Sequence, residues 1–187
     1  MKLTPIVKNI LLINIVAFLL TYMIGQEFII NKFGLHSILS PEFKFYQFIT
    51  HMFLHGGITH IVMNMIFFIS FGSHCEEKLG SSKFLSFYLI SGVVASLCHM
   101  FVTIDAPSVM IGASGAVFSV FFFFTMMYPN EKVLLFFIIP FKAKIIALAF
   151  FVAEVYWGLT TSDGIAHFAH VGGALSGIFV FLITKRK

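Results

Sequence analysis

Along most of this chain the apolar positions neither alternate nor recur at amphipathic spacing. They run on in blocks of roughly 15 to 22 residues, broken by short polar stretches. A helix rising 1.5 Å per residue needs about 20 residues to cross a hydrocarbon core of about 30 Å. The blocks therefore predict membrane-crossing helices over residues 6–25, 58–79, 83–103, 114–128, 143–160 and 165–184. The expected fold class is an all-α integral membrane protein, a bundle of six transmembrane helices forming a single domain over residues 1–187. The first block is long, and Met23 to Ile30 offers no small-x-small cleavage pattern, so it is expected to be a retained span.

The connections add detail. The longest, Gln26 to Gly57, carries Phe28, Phe33, Leu35, Phe43, Phe45 and Tyr46 and is expected to lie in the outer interface. The segment Pro129 to Lys144 holds a short apolar run, Val133 to Ile139, between charged flanks. About seven residues cannot span a bilayer as a helix, so this run is expected to rest on the inner leaflet. The fourth block is short: Ser114 to Tyr128 makes about 22 Å of helix, less than the core thickness. Its outer end is expected to start below the membrane surface. The stretch Ala106 to Ala113 must then descend as non-helical backbone, which is tolerated at depth only beside protein or a water-filled cavity. Phe121 to Phe124 read as lipid-facing or packing aromatics.

Composition narrows the class further. The chain is 59% hydrophobic and 11% charged, whereas soluble domains carry about 25% charged residues. Lys2, Lys8, Lys78, Lys83, Lys132, Lys142, Lys144, Lys185, Arg186 and Lys187 fall on one side of the predicted bundle, and only Lys32 and Lys44 on the other. The positive-inside rule puts both termini in the cytoplasm and the recessed end of the fourth helix toward the outside; a bacterial inner membrane is the expected location. The net charge of +4 then reflects basic flanks facing anionic lipid rather than nucleic acid. Cys75 and Cys98 are expected to be free thiols used in packing.

Polar residues inside spans are costly and are functional candidates. Counted from inner ends at Lys78, Tyr128 and Thr184, Asn64, Ser114 and His170 each lie 14 residues outward, or about 21 Å. Three helices can thus bring them to one height. Ser114, in Gly112-Ala113-Ser114-Gly115, opens the short helix, where free N–H groups and the positive dipole end favour a developing oxyanion. Small residues there also suit close helix packing. His170 shares a helix face with Gly173 and Gly177, a face suited to a near neighbour; if that neighbour is the fourth helix, His170 meets Ser114. A buried histidine can equally serve as interhelical glue, and His167 reads as a rim residue. His60 and Asn64, four apart, are donors on one face: either a helix contact or, with the Ser114 N–H, an oxyanion hole. Glu76, within the Gly72, Glu76, Gly80 series, sits at the opposite membrane face and reads as a cap or network residue. Glu154 is an intramembrane carboxyl that must be neutral, partnered or near water. No carboxylate is expected beside His170, because Asp163 lies seven residues outward; turnover is accordingly expected to be slow.

In order along the chain, His51 to Asn64 (an HxxxN region with upstream histidines), GxxxExxxG, GASG and AHVGGxxxG resemble the rhomboid family of intramembrane proteases. The resemblance covers most of Phe45 to Gly177. It implies a six-helix bundle with a Ser114–His170 dyad, an oxyanion hole from Asn64, His60 and the Ser114 backbone, no metal or cofactor, and transmembrane protein substrates cut in or beside their spans. Gly112, Gly173, Gly177 and Glu76 take supporting roles, and His55 is assigned to loop support. Two positions depart from the pattern: Tyr46-Gln47 replaces a frequent Trp-Arg, and Phe118 stands where a Tyr is common, able to pack under His170 without a hydroxyl.

Rival classes remain. Eight histidines (His36, His51, His55, His60, His74, His99, His167, His170) include enough imidazoles for two haem ligands. A metalloprotease wants HExxH, which is missing. A noncatalytic, substrate-binding relative usually lacks the Ser or the His, and both are here.

Overall fold

A computed structural model describes residues 2–103, 109–135 and 138–185. The elements run α1 (Pro5–Ile24), α2 (Gln26–Phe33), α3 (Gln47–Thr50) continuing into a 3-10 turn (His51–Phe53), α4 (Ile58–Leu79), α5 (Ser81–Val102), α6 (Ser114–Met127), β1 (Lys132–Leu135), β2 (Ile139–Lys142), α7 (Ala143–Thr160) and α8 (His167–Thr184). Among the described residues five helices, α1, α4, α5, α7 and α8, are long and apolar enough to cross a membrane; α6 is apolar but has only 14 residues.

The fold is mostly helical, as the all-α expectation has it, with one short addition at residues 132–142, where β1 and β2 pair antiparallel, with Lys132 opposite Lys142 and Leu134 opposite Pro140. An apolar run too short to span as a helix can still satisfy its backbone by pairing with itself. Residues 136 and 137 of that run lie outside the described residues, as do 106–108 of the descending stretch and the basic pair Arg186 and Lys187. What is described of the descent, 109–113, is non-helical and held by neighbours. Leu35 and Met110 exchange two backbone bonds of 2.9 Å, and the Gly112 N–H donates to the His51 carbonyl at 2.9 Å.

Ten of the 14 residues of α6 are buried, and the helix is enclosed by α4, α5, α7 and α8. Phe121 to Phe124 are core, packing against Phe71, Phe87 and other rings rather than facing lipid. The outward surfaces of the long helices keep large apolar side chains exposed, among them Leu19, Phe101, Leu148, Leu159 and Phe179. Apolar surface on this scale suits lipid, not water. Cys75 is buried and its Sγ–H donates to the Val120 carbonyl; Cys75 and Cys98 are both free.

Two buried polar side chains tie the ends of the bundle. Glu76 accepts from the Ile6 and Val7 N–H groups at 3.1 and 3.0 Å, and from the hydroxyls of Thr4 and Ser81 at 2.5 and 2.6 Å. A carboxylate on α4 thus caps the first turn of α1, satisfying N–H groups that the helix itself leaves open. At the other end Gln47 is buried: its Nε2 donates to the carbonyls of Lys32 and Glu42, and its Oε1 accepts from the N–H groups of His36 and Lys44. One amide therefore organises the connection between α2 and α3.

Helix α6 lies tightly on α8, and glycine makes the contact. A Cβ on Gly173 would lie 2.0 Å from the Gly115 carbonyl oxygen, and one on Gly177 would lie 2.2 Å from that of Ser119. Neither backbone can yield without moving a helix. Gly177→Ala should therefore lower stability by about 1 to 3 kcal/mol, the usual cost of overpacking. Thermal unfolding in detergent is the measurement, with Gly57→Ala as control, since nothing lies within 4 Å of a Cβ there. An unchanged unfolding temperature in Gly177→Ala would contradict the contact.

Candidate active site

Ser114 is the first residue of α6, and the backbone that delivers it turns at Gly112, whose φ is +125°. That conformation is hard for a residue with a side chain. Space forbids one as well: a Cβ on Gly112 would lie 2.8 Å from His60 Nε2 and 3.8 Å from Ser114 Oγ. The glycine lets the His60 ring approach the backbone beside the serine.

On α8, His170 faces α6. Its Nε2 lies 2.8 Å from Ser114 Oγ, within hydrogen-bond distance. The Phe118 ring lies flat on the imidazole, with centroids 4.4 Å apart and planes 6° apart. This stacking fixes the ring plane, and the glycine contact of α6 with α8 fixes its distance.

His60 and Asn64 enter from α4. The Gly56 N–H points at His60 Nδ1 at 3.4 Å, leaving Nε2 as the N–H donor on the Gly112 side. Asn64 Nδ2 donates to the His60 carbonyl at 2.9 Å, which takes one of its two amide hydrogens. His55 is fully buried and meets His60 edge to face, with ring centroids 4.9 Å apart. Ser114, His170, His60 and Asn64 all line one cavity of about 950 Å³, together with His99, Asp163 and His167. Glu76 is elsewhere, at the α1 cap.

The expectation that no carboxylate stands beside His170 is wrong. Glu154 Oε2, on α7, lies 2.9 Å from His170 Nδ1 and accepts from His167 Nδ1 at 2.6 Å. The approach to His170 is close but out of line with the ring N–H, so Nδ1 makes no well-directed hydrogen bond. His167 is buried, not a rim residue, and its Nε2 is 3.2 Å from both oxygens of Asp163. Glu154, His167 and His170 have donor atoms within 4.8 Å of one another and are of types that bind cations; here they meet one another directly, nitrogen to oxygen. The sequence already required a partner, a neutral form or water for Glu154 on grounds of cost; it did not show that the partners would be the histidines of α8. His99 was equally unassigned; it too is a polar side chain inside a predicted span.

A multi-pass helical membrane protein with a hydroxyl–imidazole pair in a cavity is the class that the fold and these side chains define. The Rhomboid domain family matches residues 42–187, and the chain belongs to the rhomboid family. Among curated relatives it is 34% identical to Rhomboid protein 1, mitochondrial, of Saccharomyces cerevisiae over 67% of this chain and 38% of that one. It is 34% identical to RHOMBOID-like protein 6, mitochondrial, of Arabidopsis thaliana over 76% of this chain and 45% of that one. It is 33% identical to the putative rhomboid protease YdcA of Bacillus subtilis over 48% of this chain and 46% of that one. The chain thus spans less than half the length of each of these relatives.

In the outer loop, burial pushes His51 down to about 3; burial, with the charge of His60 second, pushes His55 down to about 4. Both rings are therefore neutral in the folded protein at pH 5, while the unfolded chain takes up protons below about 6.5. Their contribution is present above that pH and is lost as pH falls toward the folded values, by about 1.4 kcal/mol per pH unit for each ring. The unfolding temperature in detergent should drop between pH 7 and pH 5, and drop less in His55→Gln. Equal slopes for the two proteins would contradict a neutral buried His55.

Proposed function

We propose that this rhomboid is an intramembrane serine endopeptidase, and the observation that carries the reading is the 2.8 Å approach of His170 Nε2 to Ser114 Oγ at a cavity wall. Ser114 attacks the substrate carbonyl as its proton passes to His170 Nε2. The oxyanion is held by the His60 Nε2–H, an Asn64 amide N–H and the Ser114 backbone N–H. Collapse expels the amine, which takes the proton from His170. Water then releases the acyl group by the same steps in reverse order. Gly112 admits His60, Phe118 holds the His170 ring, and Gly173 and Gly177 hold its helix.

The domain spans residues 1–187 and crosses the membrane six times, with α6 as a recessed crossing: its 14 residues make about 21 Å against a core of about 30 Å. Lipid contacts the exposed apolar flanks, and the partners are transmembrane protein substrates. The membrane is a bacterial inner membrane with both termini cytoplasmic and the cavity opening outward. From that depth the serine reaches only the outer part of a substrate helix or the residues just beyond it.

With a single-span substrate in liposomes, Ser114→Ala and His170→Ala should each abolish cleavage while leaving the protein inserted, since the pair acts as one unit. Asn64→Ala should lower turnover more than about tenfold with little change in apparent affinity, because an oxyanion donor acts in the transition state. Mass spectrometry of both fragments should locate the cut in the outer part of the substrate. Normal cleavage by Ser114→Ala, or a dominant cut in the cytoplasmic third, would overturn the reading.

A further inference from the structure

Glu154 is a costly residue to keep where it is. It sits in mid-helix on α7, 9% exposed, with Phe150, Phe151 and Trp157 one turn away along the helix. Nothing on its own helix is placed to neutralise it, and an unpaired carboxylate at membrane depth would be driven to the neutral form or to another rotamer. Instead it crosses to α8 and meets two imidazoles through one oxygen, His167 Nδ1 at 2.6 Å and His170 Nδ1 at 2.9 Å.

From this geometry we infer that Glu154 is a positioning residue for the reaction, the third member of a chain that runs from Ser114 through His170 to a carboxylate. The assignment rests on the serine protease reading above. For His170 to accept the Ser114 proton, its Nε2 must be free of hydrogen, so the ring hydrogen must sit on Nδ1. A carboxylate oxygen 2.9 Å from Nδ1 selects that tautomer and favours the imidazolium formed when the proton arrives. Glu154 itself takes no proton in the cycle. The contact is out of line in the resting protein, and catalytic hydrogen bonds commonly align only when substrate is bound.

His167 completes the arrangement. Its Nδ1 lies 2.6 Å from Glu154 Oε2 and its Nε2 lies 3.2 Å from both oxygens of exposed Asp163, so this ring stands between two carboxylates. It orients Glu154 and tempers the isolated negative charge. The charged and titratable groups around His170 are then Glu154 from α7, His167 from its own helix, His60 from α4, His99 from α5 and, through His167, Asp163 from the loop before α8. Glu154 is the carboxylate among them that reaches the His170 ring.

Glu154→Gln keeps the shape and removes the charge. Turnover should fall at least tenfold with KM within about twofold of wild type, and the acidic limb of the kcat/KM profile should move to lower pH, because the imidazolium loses its counter-charge. Glu154→Asp should recover part of the turnover and leave the limb where it is in wild type. Unchanged turnover in Glu154→Gln, or a fall with no movement of the limb, overturns the assignment. Nitrogen NMR of histidine-labelled Ser114→Ala protein decides independently of activity and of whether Glu154→Gln folds. His170 should carry its hydrogen on Nδ1 at neutral pH, and the Nε2–H form overturns the proposal. If Ser114→Ala is inactive while Glu154→Gln is fully active, the role of Glu154 alone fails; if Ser114→Ala still cleaves, it is the protease reading that fails.

Discussion

Everything at the candidate site depends on how closely α8 lies on α6. Gly173 and Gly177 leave the carbonyl oxygens of Gly115 and Ser119 in the volume that a methyl group would take. In a bilayer no hydrophobic force drives helices together, so van der Waals packing at small residues must supply the attraction. That contact sets the separation of two rigid elements, one bearing Ser114 at its first residue and the other bearing His170 on the same face as the glycines. The hydrogen bond between them is a consequence of the helix packing.

Three buried polar side chains answer a second constraint, that a carboxylate or amide removed from water needs hydrogen-bonding partners, and each finds them beyond its own helix. Glu76 meets it by capping α1 from α4, Gln47 by taking four backbone groups of the outer loop, and Glu154 by joining two histidines of α8. Each of these side chains bonds to chain far away in sequence or across a loop, so each also fixes the placement of an element. Structural and chemical polar groups are therefore not distinguished by burial. They are distinguished by whether they face the cavity that holds Ser114.

Much of this was legible because membrane solvation makes few demands, and simple ones. The long apolar blocks gave helix positions to within a few residues: 6–25 became Pro5–Ile24 and 83–103 became Ser81–Val102. The shortness of the fourth block and the common height of Asn64, Ser114 and His170 followed from rise per residue alone, and these residues do share one cavity. What was not legible depends on rotation and on pairing across the bundle. Periodicity could not show that the Glu154 face of α7 turns toward α8, because α7 is apolar on nearly every side and its pattern has no face to read. It could not show that Gln47 would hold the loop, since an amide's partners are backbone groups with no signature. The hairpin after α6 was hidden because Val133 to Ile139 is too short to separate a strand from an interfacial helix.

The central claim is that Ser114 is chemically activated by its neighbour, a property of one oxygen atom that can be read without a substrate. Labelling of the purified protein with a fluorophosphonate, followed by peptide mapping, measures it directly. Modification should fall on Ser114 and should disappear in His170→Ala protein that remains folded. A label on another residue, or equal labelling of Ser114 with and without His170, would contradict the account.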